Sequence, residues 1–86
     1  MNNAYILESM ASDLKRVAMG YHRGSTNMAR RFLSEALLRR DEVDMKQIKP
    51  YMRKVLKTIS HDVDSEYACM CATLLQNYAQ QLKKSK

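Results

Sequence analysis

The chain has 86 residues and carries 15 Lys and Arg against nine Asp and Glu, a formal net charge of +6. Its length leaves room for one domain, residues 1–86, and excludes a second hydrophobic core. With only two Gly and one Pro, and with many residues of high helix propensity, the composition favours helices over strands. We therefore expect a small all-α domain.

The compartment is inferred from the N-terminal segment and the cysteines. Residues 1–5 lack the basic and apolar parts of a signal peptide, and no apolar run reaches the length of a membrane span. Cys69 and Cys71 lie two apart on one predicted helix, so their side chains point apart and cannot form a disulfide. We expect a cytoplasmic protein with reduced thiols that forms a homodimer, because a thin core gains from further burial.

The first helix is predicted over about residues 3–21, with Asn2 or Asn3 as its N-cap. Gly20 and Gly24 are expected to end it, since Gly accepts the left-handed conformation that closes many helices. At 100° per residue, eight side chains share its apolar face: Ile6, Leu7, Met10, Ala11, Leu14, Val17, Ala18 and Tyr21.

The second helix is predicted over about residues 27–40, after a Ser25 or Thr26 cap. An acidic connector, residues 41–44, follows it. The apolar face of this helix comprises Met28, Ala29, Phe32, Leu33, Ala36 and Leu37.

The third helix is predicted over residues 45–60, with Asp44 as N-cap and Gln47 as its capping-box partner. Pro50 leaves two alternatives. It either kinks this helix or follows a separate turn and opens the main helix as its first residue. The apolar stripe comprises Met45, Ile48, Tyr51, Met52, Val55, Leu56 and Ile59.

The last helix is predicted over about residues 63–83, and its apolar face is wide enough for two neighbouring helices. Four helices joined by short connectors pack most simply as an antiparallel up-and-down bundle. We expect eight side chains to be buried in it: Leu14, Phe32, Leu33, Val55, Ile59, Tyr67, Cys71 and Leu74.

The positive charge is concentrated in residues 45–60, which contain five basic side chains and no acidic one. On the predicted third helix these five lie opposite the apolar stripe, as a candidate binding face for phosphates, an acidic protein or an anionic lipid surface. A solvated face that keeps the protein in solution is the alternative. The five residues are Lys46, Lys49, Arg53, Lys54 and Lys57.

A helix-turn-helix motif formed by the second and third helices fits poorly. The connector contains no Gly, and its acidic residues would lie near phosphates if the third helix entered a DNA groove. Non-specific binding to a nucleic-acid backbone is a better alternative.

The loop between the first two helices is a second candidate site, for an anion. It combines Gly, basic and hydroxyl residues just before a helix N-terminus, but it lacks the lysine and the spacing of a phosphate-binding loop. A plain capped turn explains the same residues. They are His22, Arg23, Gly24, Ser25 and Thr26.

Nothing in the sequence indicates catalysis, a metal site or a cofactor. The histidines lie in separate connectors, and most acidic residues lie at predicted helix starts or one turn from a basic residue. The leading hypothesis is a non-enzymatic helical interaction or regulatory protein that binds another macromolecule, with a protein as the expected partner. The alternatives are nucleic-acid binding by the basic face and anion or small-ligand binding by the loop 20–26.

Overall fold

A computed structural model describes residues 2–84. They form four α-helices: α1 (Asn3–His22), α2 (Thr26–Arg40), α3 (Pro50–Thr58) and α4 (Ser65–Lys84). A short 3₁₀ turn, Met45–Gln47, lies between α2 and α3. The predicted all-helical domain is confirmed, and none of these helices is long and apolar enough to cross a membrane.

Helix α1 lies at the centre of the domain and packs against both α2 and α4. Glu8 Oε1 lies 2.6 Å from Lys83 Nζ, and Lys15 Nζ donates a hydrogen bond of 2.7 Å to Gln76 Oε1. The later residue of α1 therefore pairs with the earlier residue of α4, so these two helices are antiparallel. The arrangement of all four helices as a regular up-and-down bundle stays a prediction.

Of the two glycines expected to end α1, Gly24 does so, whereas Gly20 lies within the helix, which runs to His22. Gly24 has a φ of +75°, in the left-handed region, and the Ser25 amide donates to the carbonyl of Gly20 at 2.8 Å. The Gly24 amide donates to Tyr21 at 3.1 Å. These two bonds close the helix in the usual C-terminal pattern and turn the chain directly into α2.

The predicted third helix is wrong in its first turn. Ile48 and Lys49 are extended, and Pro50 is the first residue of α3, so no helix passes through Pro50 and none is kinked there. The cause is local. Proline disfavours helical backbone in the residue before it and fits the first helical position, where no amide hydrogen is needed. Of the two alternatives for Pro50, the separate turn is the one observed.

Asp44 caps this turn, since its Oδ1 accepts a hydrogen bond of 3.2 Å from the Lys46 amide. The reciprocal partner is Asn3 rather than the expected Gln47. Asn3 Oδ1 accepts from the Asp44 amide, and Asn3 Nδ2 donates to the Asp44 carbonyl, both at 3.0 Å. The residue that caps α1 is Asn2, whose Oδ1 accepts from the Tyr5 amide.

The core is only partly the predicted one. Leu14, Leu33, Ile59 and Cys71 are buried, whereas Phe32, Val55 and Tyr67 are half-buried. The prediction for Leu74 is wrong, because its side chain is 37 % exposed. The largest fully buried side chains come from all four helices and the residue after α3: Leu7, Met10, Leu14, Val17, Leu33, Met52, Leu56, Ile59, Cys71 and Leu75.

Two arginines at the end of α2 bind it to α1 and to the end of α3. Arg39 Nε lies 2.9 Å from Oδ2 of the buried Asp13 on α1. Arg40 Nη1 donates to the carbonyls of Leu56 and Ile59 at 3.0 and 2.6 Å. A guanidinium placed at these carbonyls adds a charged donor at the C-terminal end of α3, where the Leu56 carbonyl also accepts a bond of 3.4 Å from the Ile59 amide, and it complements the helix dipole.

Candidate functional site

The five basic residues singled out from the sequence, here called the basic segment, do not form one helix face. Arg53, Lys54 and Lys57 lie on α3. Lys49 is the extended residue just before that helix, and Lys46 lies on the preceding 3₁₀ turn. The predicted five-residue helical stripe over 45–60 is therefore reduced to three residues on α3 and two that precede it.

The buried residues of α3 determine which of its faces is exposed to solvent. Met52 and Leu56 are buried, so at 100° per residue Lys54 and Lys57 lie on the outer face, with Arg53 on its flank. This agrees with their exposure, since both lysines are exposed and Arg53 is half-buried. The two lysines are the members of the basic segment on α3 that a partner reaches most directly.

The basic segment carries no intramolecular ion pair in the described part of the chain. Within residues 2–84 the basic groups of the three ion pairs are Arg16, Arg39 and Lys83. They are thus contributed by α1, α2 and α4. The segment is exposed apart from Arg53, so its charge is neutralised only by solvent ions or by a partner.

Helix α3 is held beside α4 by two tyrosines of α4, one at each end. At one end the hydroxyl of Tyr78 accepts a hydrogen bond of 3.0 Å from the Lys49 amide. The Tyr78 ring also meets Tyr51 edge-on, with centroids 5.9 Å apart and an interplanar angle of 78°. At the other end the hydroxyls of Tyr67 and Thr58 are hydrogen-bonded to each other. Long side chains therefore bridge the two helices.

Apolar side chains remain exposed along this junction. Leu74 and Met70 lie one and two turns before Tyr78 on α4, between its two bridging tyrosines. They are 37 % and 49 % exposed, and Tyr51 on α3 is 54 % exposed. We call Tyr51, Met70 and Leu74 the apolar strip. The sequence places all three on apolar faces. The wide apolar face of the last helix predicts two neighbouring helices, so the exposure of Met70 and Leu74 is seen only in the structure.

The residues of the loop between α1 and α2 are largely explained by the turn that joins the two helices. The amides of Gly24 and Ser25 are used to close α1, and Ser25 is the residue before α2 but makes no capping bond with its side chain. His22, Arg23 and Thr26 are exposed. Anion binding at residues 22–26 stays a prediction.

The two cysteines differ in their surroundings. Cys69 is exposed and lines a groove of about 620 Å³ between α1 and α4, together with Met19, His22 and Glu66. Cys71 is buried, and this burial raises the pKa of its thiol, an effect reduced by a hydrogen bond with Tyr67. No three potential metal ligands among the His, Cys, Asp and Glu side chains lie together within residues 2–84.

Comparison with protein-family models, with curated proteins and with solved structures gave no match for this chain. Its function is therefore argued from the surface itself.

Proposed function

We propose that this protein is a non-enzymatic interaction domain that binds an acidic protein partner through the basic segment. The observation that carries the proposal is the set of five basic side chains within 12 residues that form no ion pair in the described part of the chain. Complementary charge accelerates encounter and selects the partner. The two free thiols fit a reducing compartment such as the cytoplasm.

The connection between α2 and α3 argues against recognition of DNA bases by a helix-turn-helix motif, which leaves non-specific backbone binding as the nucleic-acid alternative. A helix-turn-helix motif joins its helices by a turn of three or four residues. Here nine residues, 41–49, separate them and include a 3₁₀ turn. Helix α3 itself has nine residues, about 13 Å of length, and begins with a proline rather than with side chains that read bases.

Column retention tests the proposal, with immobilised poly-glutamate and immobilised duplex DNA compared across a salt gradient. We expect retention on poly-glutamate and none on DNA at about 0.15 M salt, where exposed charges are screened beyond roughly 8 Å. Lys54→Glu combined with Lys57→Glu should abolish the retention. Arg53 is left unchanged in this variant because it is half-buried, so that replacing it would alter packing as well as charge.

The matched control is Arg30→Glu combined with Arg31→Glu, the same change of charge at two exposed residues of α2. This variant should remain on poly-glutamate, eluting only slightly earlier. Equal loss in both variants would show that net charge alone causes retention. Binding to duplex DNA whose affinity falls with log salt with a slope of about −4 to −5 would instead establish the nucleic-acid alternative.

A further inference from the structure

We propose that the apolar strip receives the apolar face of an amphipathic helix from the protein partner, with acidic side chains of that helix facing Lys49 and Lys54. The proposal rests on the proposed function and deepens it, because it assigns recognition to apolar contact as well as charge. Tyr51, Met70 and Leu74 are its contact residues.

The shape of the strip follows from the two bridges between α3 and α4. Tyr67 and Tyr78 are 11 positions apart on α4, a distance of about 16 Å along a helix axis. Met70 and Leu74 lie between them, and Tyr51 lies against Tyr78 at one end. An apolar surface of this length matches about three turns of a partner helix with anchors spaced at i, i+4 and i+7.

The charge around the strip differs between its two ends. Lys49 lies at the Tyr78 end, where its amide bonds the tyrosine hydroxyl, and Lys54 is one turn beyond Tyr51 on α3. Asp62 and Asp64 lie beside Tyr67 at the other end. Acidic residues of the partner should therefore lie over the Tyr51 end.

Acidic groups elsewhere do not neutralise the lysines at the strip. Glu66 lines the groove between α1 and α4 and lies one turn before Met70 on α4, so it adds to the acidic Tyr67 end of the strip, away from Lys49 and Lys54. The Asp64 carboxylate accepts a hydrogen bond of 2.8 Å from the Tyr67 amide and so caps α4. The Lys49 and Lys54 side chains keep their charge available for a partner.

The net charge makes a second copy of this chain a poorer occupant. Two strips that pair in opposite directions would set Asp62 and Asp64 of one copy near Lys49 and Lys54 of the other, so the charges at the strip itself are complementary. Each chain nevertheless carries a formal net charge of +6, so two copies repel each other as whole molecules. An acidic helix reverses the sign of this interaction.

Two synthetic peptides of identical composition test the proposal. In the first, leucines recur at helical spacing and glutamates occupy the remaining positions of the N-terminal half, with neutral polar residues in the other half. In the second the leucines are distributed around the helix. Fluorescence anisotropy should give a dissociation constant about ten-fold lower for the first peptide, a difference that corresponds to about one anchored apolar side chain.

Met70→Ser combined with Leu74→Ser should remove this preference, because both side chains are exposed and lie on the strip. Leu38→Ser is the matched control, since Leu38 is 64 % exposed on α2, away from the strip. It should bind both peptides as the wild type does. Circular dichroism of all variants should show unchanged helix content.

Equal affinity for the two peptides, or a preference that survives the double serine change, would overturn this inference. The proposed function would still hold in that case if Lys54→Glu with Lys57→Glu alone abolished retention on poly-glutamate. Light scattering supplies the other decisive outcome. A dimer of the wild type that becomes a single chain in Met70→Ser with Leu74→Ser would show that a second copy covers the strip, against the proposal.

Discussion

A Cβ atom on Gly20 would lie 2.8 Å from the backbone nitrogen of Ala29, because α1 and α2 approach each other closely at this point. The obstacle is backbone, which cannot turn aside as a side chain does. Gly20→Ala should therefore force the helices apart and lower the free energy of unfolding by about 1 to 3 kcal/mol, despite the higher helix propensity of alanine.

Chemical denaturation measures this effect, and Ser12→Ala at an exposed position of α1 serves as the control. The control should be neutral or slightly stabilising. Gly24→Ala makes a useful comparison, since its φ of +75° strains any other residue although nothing lies within 4 Å. Gly24→Ala should lower the free energy of unfolding by about 1 kcal/mol. A Gly20→Ala variant more stable than the wild type would mean that α1 and α2 lie farther apart than in this structure.

Leu33 on α2 is fully buried in the core. Leu33→Ala should lower the free energy of unfolding by about 2 to 5 kcal/mol, because it removes apolar contacts and leaves a cavity. A thermal melt checks this result. Leu38→Ala, on the same helix but exposed, should change the stability by less than about 0.5 kcal/mol. Equal effects of the two changes would mean that a different face of α2 packs in the core.

Arg40 connects α2 to the end of α3 through two backbone carbonyls. Arg40→Ala leaves those carbonyls without their charged donor. It should lower the free energy of unfolding by about 1.5 to 3 kcal/mol. Because the loss concentrates at the end of α3, amide hydrogen exchange should accelerate there more than in α1. Arg30→Ala, an exposed change on the same helix, should affect neither quantity. Unchanged exchange in α3 would contradict the role of Arg40.

The two cysteines should react at very different rates with DTNB. Cys69 is exposed and should react at once, whereas Cys71 should react only when the protein unfolds, since it is buried and its thiolate is disfavoured. Cys69→Ser should therefore leave one slow thiol. Two fast thiols in the wild type would mean that α4 does not bury Cys71.

The raised pKa of the Cys71 thiol also predicts the sign of a pH effect. At pH values above the ordinary thiol pKa the unfolded chain loses a proton that the folded protein retains, so the free energy of unfolding decreases as the pH rises. Denaturation at several alkaline pH values should show this decrease, and it should be smaller in Cys71→Ala. A wild-type stability that rises over this range would contradict the predicted sign.

The sequence by itself determined the number of helices and most of their limits. Apolar periodicity placed α1, α2 and α4 within about two residues, because one face of each is buried against the rest of the domain. Gly24 marked the end of α1, since the left-handed conformation there favours glycine. The concentration of positive charge between residues 45 and 60 is likewise a property of the sequence alone.

Only the tertiary structure decided which apolar and basic side chains share a surface. Periodicity identifies the apolar face of α4 but not how many neighbours cover it, so Leu74 was predicted to be buried and is exposed. Pro50 shortens α3, and Tyr67 and Tyr78 connect α4 to Thr58 and Lys49, which lie 9 and 29 positions earlier in the chain. The apolar strip beside the basic segment exists because those bridges leave apolar side chains uncovered between them.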